Sequence, residues 1–237
     1  MKKIRIFDID GTITHPGIDL WYMTTNSLSS DIESFEKHLL AWKNKIKTGL
    51  NPYKTSKSMM LKGLNMMPFE ITGNDIRLET KKISNNIIKN CDYFEGAIKH
   101  INNSLVKGFH VIFSTTNYYE SGLGFLDALV ECNLIGKNNI NSILISGSRI
   151  DWKNKKIIHF NMGDCKIKDI CEHLNLTEHE LMERIDSSYG DDPEGNDSAI
   201  LNLSSKGFVI KNDKNKICLL PKHILLTDWN EIIRYYP

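Results

Sequence analysis

The sequence lacks any long apolar run and any paired arrangement of cysteines. No apolar stretch in its 237 residues approaches the roughly 20 residues needed to cross a bilayer. The N-terminal residues reach Asp8 without the apolar segment of a secretory signal. Five cysteines without a Cys-x-x-Cys pair favour free thiols over a disulfide framework or a cysteine metal site. We therefore expect a cytoplasmic protein without a membrane span, with export by a route that lacks a readable signal left open.

The chain also has little excess charge of either sign. Lys and Arg total 30 and Asp and Glu total 29, which gives a formal net charge of +1. The basic residues are scattered singly, a pattern typical of solvated faces, so we expect no nucleic-acid partner. The chain length suits one large domain, or one domain with a sizeable insertion, and the 41% hydrophobic content is enough for an ordinary core.

Alternating apolar segments predict an α/β core. The short β-branched run at residues 4–7 predicts a buried strand that stops at Asp8. Residues 150–158 resemble a hairpin with a polar tip. Further strands are predicted at 109–113, 143–146, 208–210 and 217–219, and helices at 97–105, 120–132 and 166–174, while residues 184–189 lead into a Gly-Asp loop. This alternation favours a doubly wound, Rossmann-like parallel sheet, whose working loops lie at the carboxyl ends of the strands.

The segment after the first strand differs from this core because its apolar residues recur at helical spacing. The first predicted helix has its N-cap at residues 29–31 and ends at Gly49. A short helix follows a break at Asn51-Pro52, and a third helix begins near Asn74. Their apolar residues are Ile32, Phe35, Leu39, Trp42 and Ile46; Met59, Met60 and Leu64; and Ile76, Ile83, Ile87 and Ile88. We predict a core of residues 1–16 and 91–237, with residues 17–90 as a small helical cap inserted after the first strand.

The segment Asp8-Ile9-Asp10-Gly11-Thr12 carries the strongest chemical signal. Its two carboxylates, one residue apart at the end of a strand, start on the same side, and Gly11 allows the chain to turn. Asp8 is the candidate nucleophile, because a carboxylate can accept a phosphoryl group as an aspartyl-phosphate. Asp10 is the candidate acid and base that protonates the leaving oxygen and then deprotonates water. A simple Asp-Gly turn is the alternative for these five residues alone.

Three later segments add groups that suit phosphoryl transfer. The Ser114 hydroxyl and the neighbouring N–H could hold a phosphoryl oxygen, although many strands end in such turn residues. Lys166 begins a predicted helix and could offset the charge of the nucleophile, or be a surface lysine. The acidic loop at residues 189–197 suits Mg²⁺, and its spacing does not fit a calcium loop. The order of these segments at successive strand ends favours one shared site.

These four segments resemble the four motifs of the haloacid dehalogenase superfamily of hydrolases. The helical insertion between the first two is similar to the C1-type cap of its phosphoserine phosphatase-like group, subfamily IB. Residues 163–166 resemble that group's approach to its lysine, and residues 191–201 with Trp229 are similar to a bacterial subfamily that includes phosphatidylglycerophosphate phosphatases. The core resemblance covers roughly residues 1–15 and 92–230, while the cap resembles the family only in position and helical character.

The resemblance implies a phosphoric monoester hydrolase that forms an aspartyl-phosphate on Asp8, with Asp10 as general acid and then base. It implies Mg²⁺ held by a carboxylate oxygen of Asp8, the backbone carbonyl of Asp10 and the side chain of Asp191. The implied phosphate-binding groups are the side chains of Ser114 and Lys166 and the N–H groups near Ile9 and Thr115.

One position departs from the family pattern. A second acid often follows the first acid of the fourth motif by four residues, and that position is Gly195 here. Asp192 and Asp197 are both candidates for the outer metal role, acting through water. If Pro193-Glu194 is a two-residue insertion, Asp197 is the better match, and we favour it.

The substrate is expected to be a small phosphomonoester, with phosphoserine-like metabolites and lipid head-group phosphates both open. A phosphatase acting on a protein phosphoresidue, which would favour an open, shallow cleft, is an alternative. A phosphotransferase or mutase and a catalytically idle binding module remain further alternatives. Specificity should lie in the cap, which closes the site, and its unranked candidates are Trp21, Tyr22, Lys43, Lys54 and Arg77. The Met59-Met60 and Met66-Met67 pairs are expected to serve packing rather than a lipid slot.

Overall fold

The first strand of the chain lies in the middle of a seven-stranded sheet. The computed structural model describes residues 2–47, 50–211 and 220–236. Its strands are β1 (Ile4–Phe7), β2 (His110–Tyr118), β3 (Ile143–Asp151), β4 (Lys156–His159), β5 (Ile185–Gly190), β6 (Gly207–Ile210) and β7 (His223–Leu226). They are ordered β4-β3-β2-β1-β5-β6-β7. All pairs are parallel except β3 with β4, which forms the predicted antiparallel hairpin.

Helices cover both faces of this sheet, as a parallel sheet requires. The helices are α1 (Leu20–Leu28), α2 (Ile32–Lys47), α3 (Pro52–Met66), α4 (Gly73–Lys89), α5 (Glu95–Val106), α6 (Tyr119–Glu131), α7 (Asp164–Leu174), α8 (Glu178–Arg184) and α9 (Ser198–Leu203), with 3₁₀ turns at Lys137–Ser142 and Trp229–Arg234. All four side chains of β1 are buried and alternate between the two faces. Phe7 packs with residues of α5 and α6, whereas Ile4 and Ile6 pack with residues of α7, α8 and α9.

The four helices α1–α4 occupy the chain between β1 and α5. Helices α2 and α3 share a small core of Phe35, Leu39 and Met59. Helix α4 lies along α6, so closely that a Cβ atom on Gly124 would collide with the carbonyl oxygen of Arg77. The division into core residues 1–16 and 91–237 and cap residues 17–90 stays a proposal.

Some predicted elements change in extent. Asn51-Pro52 was expected to break the chain before a short helix, but Asn51 caps the 15-residue α3 by accepting from the N–H of Lys54 at 3.0 Å. Proline suits the first position of a helix because that N–H has no partner inside the helix. Strands β2 and β3 continue past 113 and 146 respectively, and α1, α8, α9 and β7 were not predicted. The side chain of Ile46, the helix end at Gly49 and the strand at 217–219 lie outside the described residues.

Two expectations about composition can be compared with the described part of the chain. Cys91, Cys132, Cys165 and Cys171 are free thiols, and Cys218 lies outside the described residues. Within the described ranges, no helix has both the length and the apolar character that crossing a bilayer requires.

Candidate active site

Asp8 begins a tight turn at the carboxyl end of β1. The carbonyl oxygen of Ile9 accepts the N–H groups of residues 12–14 at 2.9 to 3.3 Å. Gly11 has a φ of 77°, the left-handed region that glycine adopts without strain. A Cβ atom on Gly11 would lie 2.5 Å from Oδ2 of Asp191. Glycine at this position therefore permits both the turn and the close approach of the acidic loop to Asp8.

The C-terminal segment supports the same turn. The indole N–H of Trp229 donates to the carbonyl oxygen of Thr12 at 3.2 Å. Trp229 is buried, and its ring stacks with those of Phe7 and Tyr189 at centroid distances of 6.3 and 5.3 Å. A residue more than 200 positions away in the chain thus fixes the loop that carries Asp8.

Lys166 reaches Asp8 from the first turn of α7. Its ammonium nitrogen lies 2.9 Å from Oδ1 of Asp8 and 2.7 Å from Oδ1 of Asp197. The side chain has no exposed surface. Burial excludes the alternative of a surface lysine, because an ammonium group is fully buried only when it is paired.

The acidic loop after β5 folds around Asp197. Oδ2 of Asp197 accepts the backbone N–H groups of Asp191 and Asp192 at 3.1 and 3.2 Å. Gly190 permits this packing, since a Cβ atom there would lie 2.7 Å from Cβ of Asp197. The carboxylate of Asp192 accepts the N–H of Asn196 at 2.7 Å and so bonds within its own loop. Asp197 is fully buried and joins the acidic loop to Lys166.

The acids can supply hard ligands for a small cation. Among the described residues, one carboxylate oxygen from each of Asp8, Asp191 and Asp197 can be chosen so that all lie within 4.8 Å of one another. Carboxylate oxygens are the donors that Mg²⁺ prefers, so this donor set fits the cation implied by the resemblance. Asp192 is not a member of this group, which favours Asp197 as the second acid near the metal.

Burial and mutual repulsion shape the electrostatics of this group. Burial, followed by the charge of Asp197, raises the pKa of Asp8 well above its usual value, although Lys166 opposes that shift. Burial, followed by the charge of Asp19, also raises the pKa of Asp10 well above its usual value. Burial disfavours the charge on Lys166, but Asp197 and Asp8 outweigh it and raise the pKa of the ammonium group. A divalent cation would relieve the repulsion among these carboxylates.

Ser114 is the neighbour of Asp8 across the sheet. Phe7 pairs with Phe113, and the regular pairing of β2 with β3 ends at Ser114. Among the described residues, the buried Ser114 hydroxyl has no hydrogen-bond partner. Leaving such a group unpaired costs about 1 to 3 kcal/mol, a cost that a bound phosphoryl oxygen would offset. The neighbouring Thr115 hydroxyl accepts the N–H of Asn117 at 3.1 Å.

Two asparagines connect the loops around the site, and neither was predicted. Asn161 is fully buried, and its amide donates to the carbonyl oxygen of Thr115 at 2.8 Å and to the Ser146 hydroxyl at 3.0 Å. Asn196 accepts a hydrogen bond from the Thr116 hydroxyl, which links the end of β2 to the acidic loop. No spacing pattern distinguishes these single residues from other polar loop residues, so the sequence offers no signal for them.

A cavity of about 510 Å³ opens between these acids and helices α1–α3. Asp8, Asp10, Asp191 and Asp192 line it, and so does Thr115. Helices α1 and α3 contribute Trp21, from the set of five candidates, together with Met59 and Met60. Met59 also packs in a cluster with Phe35 and Leu39, and Met60 in a cluster with Tyr118 and Ile150. Tyr22, Lys43, Lys54 and Arg77 do not line the cavity. Arg77 instead pairs with both carboxylate oxygens of Asp127, at 2.6 and 2.9 Å.

Comparison with known proteins identifies similar folds. No protein-family model matches the chain, and no match is found among curated proteins. Among solved structures, a phosphoserine phosphohydrolase-like protein from Francisella tularensis subsp. tularensis SCHU S4 is 16% identical, with 100% of each chain covered and a TM-score of 0.61. A phosphoserine phosphatase, solved as a phospho-aspartyl intermediate analogue, is 16% identical over 99% of this chain and 98% of that one, with a TM-score of 0.55. A cytosolic 5′-nucleotidase IIIB bound to cytidine is 12% identical over 89% of this chain and 74% of that one, with a TM-score of 0.51.

These similarities define the class of the fold. The chain has the α/β fold of solved phosphoserine phosphatases, a Rossmann-like sheet with helices inserted after the first strand. The predicted fold class is therefore confirmed. Likeness at such low identity establishes the fold, and the chemistry of this chain has to be argued from its own residues.

Proposed function

We propose that this chain is a Mg²⁺-dependent phosphatase that hydrolyses small phosphomonoesters through an aspartyl-phosphate on Asp8. One observation carries the proposal. The buried ion pair of Asp8 with Lys166 lies within the carboxylate group of Asp8, Asp191 and Asp197, at the carboxyl ends of β1 and β5. The fold shared with phosphatases supports the same reaction class.

In the first step, a carboxylate oxygen of Asp8 attacks phosphorus, forming the Asp8 O–P bond while the bond from phosphorus to the leaving oxygen breaks. Asp10, which lies on the cavity wall beside Asp8, donates its proton to the leaving oxygen. Lys166 and the Ser114 hydroxyl hold the transferring group, aided by the N–H groups near Ile9 and Thr115.

In the second step, Asp10 accepts a proton from a water molecule as its oxygen attacks phosphorus. The Asp8 O–P bond breaks, and inorganic phosphate leaves with Asp8 restored as a carboxylate. Asp8, the backbone carbonyl of Asp10 and Asp191 would hold Mg²⁺, with Asp197 acting on this shell through water. When bound, the cation supplies positive charge that stabilises the phosphoryl oxygens in the transition state.

The shape of the site supports a small substrate over a phosphorylated protein side chain. The acids line a cavity whose other walls come from α1, α2, α3, the end of β2 and the loop after β4, whereas a protein substrate would favour an open, shallow cleft. The presence of Asp8, Asp10, Lys166 and Asp191 together also weighs against a binding module without activity.

Replacing the nucleophile tests the proposal. Asp8→Asn removes the attacking oxygen anion with little change in size, so we expect loss of phosphate release from p-nitrophenyl phosphate by at least about 1,000-fold. Chelation of the metal should silence the unmodified protein, and added Mg²⁺ should restore it. A folded Asp8→Asn protein with substantial turnover, or activity that survives chelation, would contradict the proposal. Assays with phosphopeptides and with small phosphate esters distinguish a small-molecule phosphatase from a phosphatase that acts on proteins.

A further inference from the structure

Above the acids, the walls of the cavity are mainly apolar. Its larger side chains away from the acids are Trp21, Trp42, Met59, Met60, Phe160 and Met162. Four of these come from the helices α1–α3, and two come from the loop that follows β4. The organic part of a substrate whose phosphorus lies at Asp8 therefore has aromatic and thioether surfaces around it, which favour apolar groups.

Among the residues that the structure describes, every charged one that lines this cavity is an aspartate. Besides the four acids near phosphorus there is Asp19, whose carboxylate caps α1 by accepting the N–H of Tyr22 at 2.9 Å. In the described part of the chain, the cavity wall has no lysine, arginine or histidine. Lys166 lies beneath Asp8 and is already paired with Asp8 and Asp197. Burial raises the pKa of Asp19, and the positive charge of Lys43 opposes that shift. Lys43 is nevertheless exposed on α2 and does not line the wall.

The protein groups around the phosphoryl half of a substrate therefore differ in charge from those around its organic half. The phosphoryl group would lie near Lys166 and the proposed metal site, whereas a second anion on the organic half would meet no cation on the described part of the wall. It would lose water to apolar side chains and lie near carboxylates of the same sign, and both effects disfavour it. We infer that the site takes phosphomonoesters whose organic half is apolar or aromatic and has no negative charge. This inference rests on the proposed function and narrows its substrate class.

The inference distinguishes this chain from what its fold alone would suggest. Phosphoserine has a carboxylate on its organic half, and the described wall has no cation to pair with it. The fold is shared with phosphoserine phosphatases, yet phosphoserine is expected to be a poor substrate here. Phosphorylated carboxylic acids, sugar bisphosphates and nucleoside polyphosphates are disfavoured for the same reason.

Two matched substrates test this inference. Phenyl phosphate and 4-carboxyphenyl phosphate differ by one carboxylate, and we expect kcat/KM to be about 100-fold higher for phenyl phosphate, because the described cavity wall has no cation to pair with that carboxylate. Phosphoethanolamine and phosphoserine form a second pair that differs by the same group. Similar values of kcat/KM within each pair would overturn the inference.

A pair of variants on α3 tests the role of the wall itself. Ser56 is half-buried and lines the cavity, whereas Ser58 is exposed on the same helix and does not line it. Ser56→Lys should raise the ratio of kcat/KM for the carboxylated over the plain ester about tenfold, because it adds a cation to the wall. Ser58→Lys should leave that ratio unchanged. Equal effects of the two variants would contradict the inference, and circular dichroism establishes that both are folded.

Binding distinguishes failure of the inference from failure of the proposed function. Phenylphosphonate and 4-carboxyphenylphosphonate cannot be hydrolysed, and calorimetry with Mg²⁺ gives their affinities whether or not the protein turns over an ester. Tighter binding of phenylphosphonate supports the inference even if no ester is hydrolysed, in which case only the proposed reaction fails. Equal binding, or tighter binding of the carboxylated compound, contradicts the inference.

Discussion

At the scale of single residues, the assignment of Asp8 depends on what surrounds it. The Asp-x-Asp-Gly spacing alone also fits a turn, and the structure does form a turn there. The buried contact with Lys166, 158 residues away in the chain, is what a simple turn does not require. Asp8, Asp191 and Asp197 bring three carboxyl groups together beside one lysine, which supports the proposed place for a divalent cation.

The two candidates for the outer metal acid have different surroundings. Asp197 contacts Lys166 and two N–H groups of the acidic loop, whereas the contacts of the Asp192 carboxylate remain within its own loop. Asp197→Asn should therefore raise the Mg²⁺ concentration that gives half-maximal activity by about tenfold or more, and Asp192→Asn should raise it less. Activity measured across a Mg²⁺ titration gives both values. An equal or larger shift for Asp192→Asn would assign the outer role to Asp192.

At the scale of elements, the loop after β1 is held by a distant segment. Trp229→Phe keeps the ring stacking on Phe7 but removes the hydrogen bond to the carbonyl oxygen of Thr12. We expect the free energy of unfolding to fall by about 1 kcal/mol, and kcat to fall because the turn that carries Asp8 and Asp10 is less well fixed.

Trp152→Phe is the matched control, because it also removes an indole hydrogen bond, in this case to Glu120 at 2.8 Å. Trp152 does not line the cavity. Urea unfolding and steady-state kinetics on both variants give the comparison. A similar loss of kcat in the two variants would show that Trp229 acts through general stability rather than through the loop.

Element bounds were predictable where local pattern and burial agree. The run Ile4–Phe7 has three apolar residues, two of them β-branched, and is followed by Asp8, and β1 has the predicted bounds. Asn51-Pro52 was misread, because the same two residues suit a break and a helix start, and only the bond from Lys54 to Asn51 decides between them. The connecting roles of Asn161 and Asn196 depend on loops brought together by the tertiary fold, so local sequence could not reveal them.

At the scale of the whole molecule, a buried polar network joins the start and the end of the chain. Arg5 on β1 pairs with Asp186 at 2.9 Å, and its guanidinium carbon lies 4.0 Å from the ring centroids of Phe109 and Tyr236. Its NH1 group lies 3.2 Å from Nε2 of His100. Since arginine can only donate, this nitrogen of His100 must accept, and the imidazole is neutral.

This network predicts a loss of stability in acid. Burial, followed by the charge of Arg5, lowers the pKa of His100 from 6.5 to about 3. Between these values the unfolded chain binds more protons than the folded one, so the free energy of unfolding falls as pH falls through that window. His100→Gln should weaken this dependence, and His179→Gln, at an exposed position, should not. Urea unfolding at several pH values measures the slopes, and equal slopes for the unmodified protein and His100→Gln would exclude His100 as a cause.

Comparison with solved structures also shows that the fold could be predicted from the sequence, whereas the lining of the cavity could not. The four motif segments predicted this α/β fold, and structures at 16% identity share it over nearly the whole chain. The cavity wall was not predictable, because it joins side chains from α1, α2, α3 and the loop after β4. Which side chains form the wall depends on how these elements pack in the tertiary fold.

Trapping the covalent intermediate tests the central claim most directly. Asp10→Asn removes the base for the second step, while p-nitrophenolate leaves without a proton, so phosphate should accumulate on the protein. ³²P-labelled p-nitrophenyl phosphate, acid quench and peptide mapping should place the label on the peptide that contains Asp8, and Asp8→Asn with Asp10→Asn should abolish it. Label on a different residue, or phosphate release by the unmodified protein without any acid-stable label in Asp10→Asn, would contradict the role of Asp8 as nucleophile.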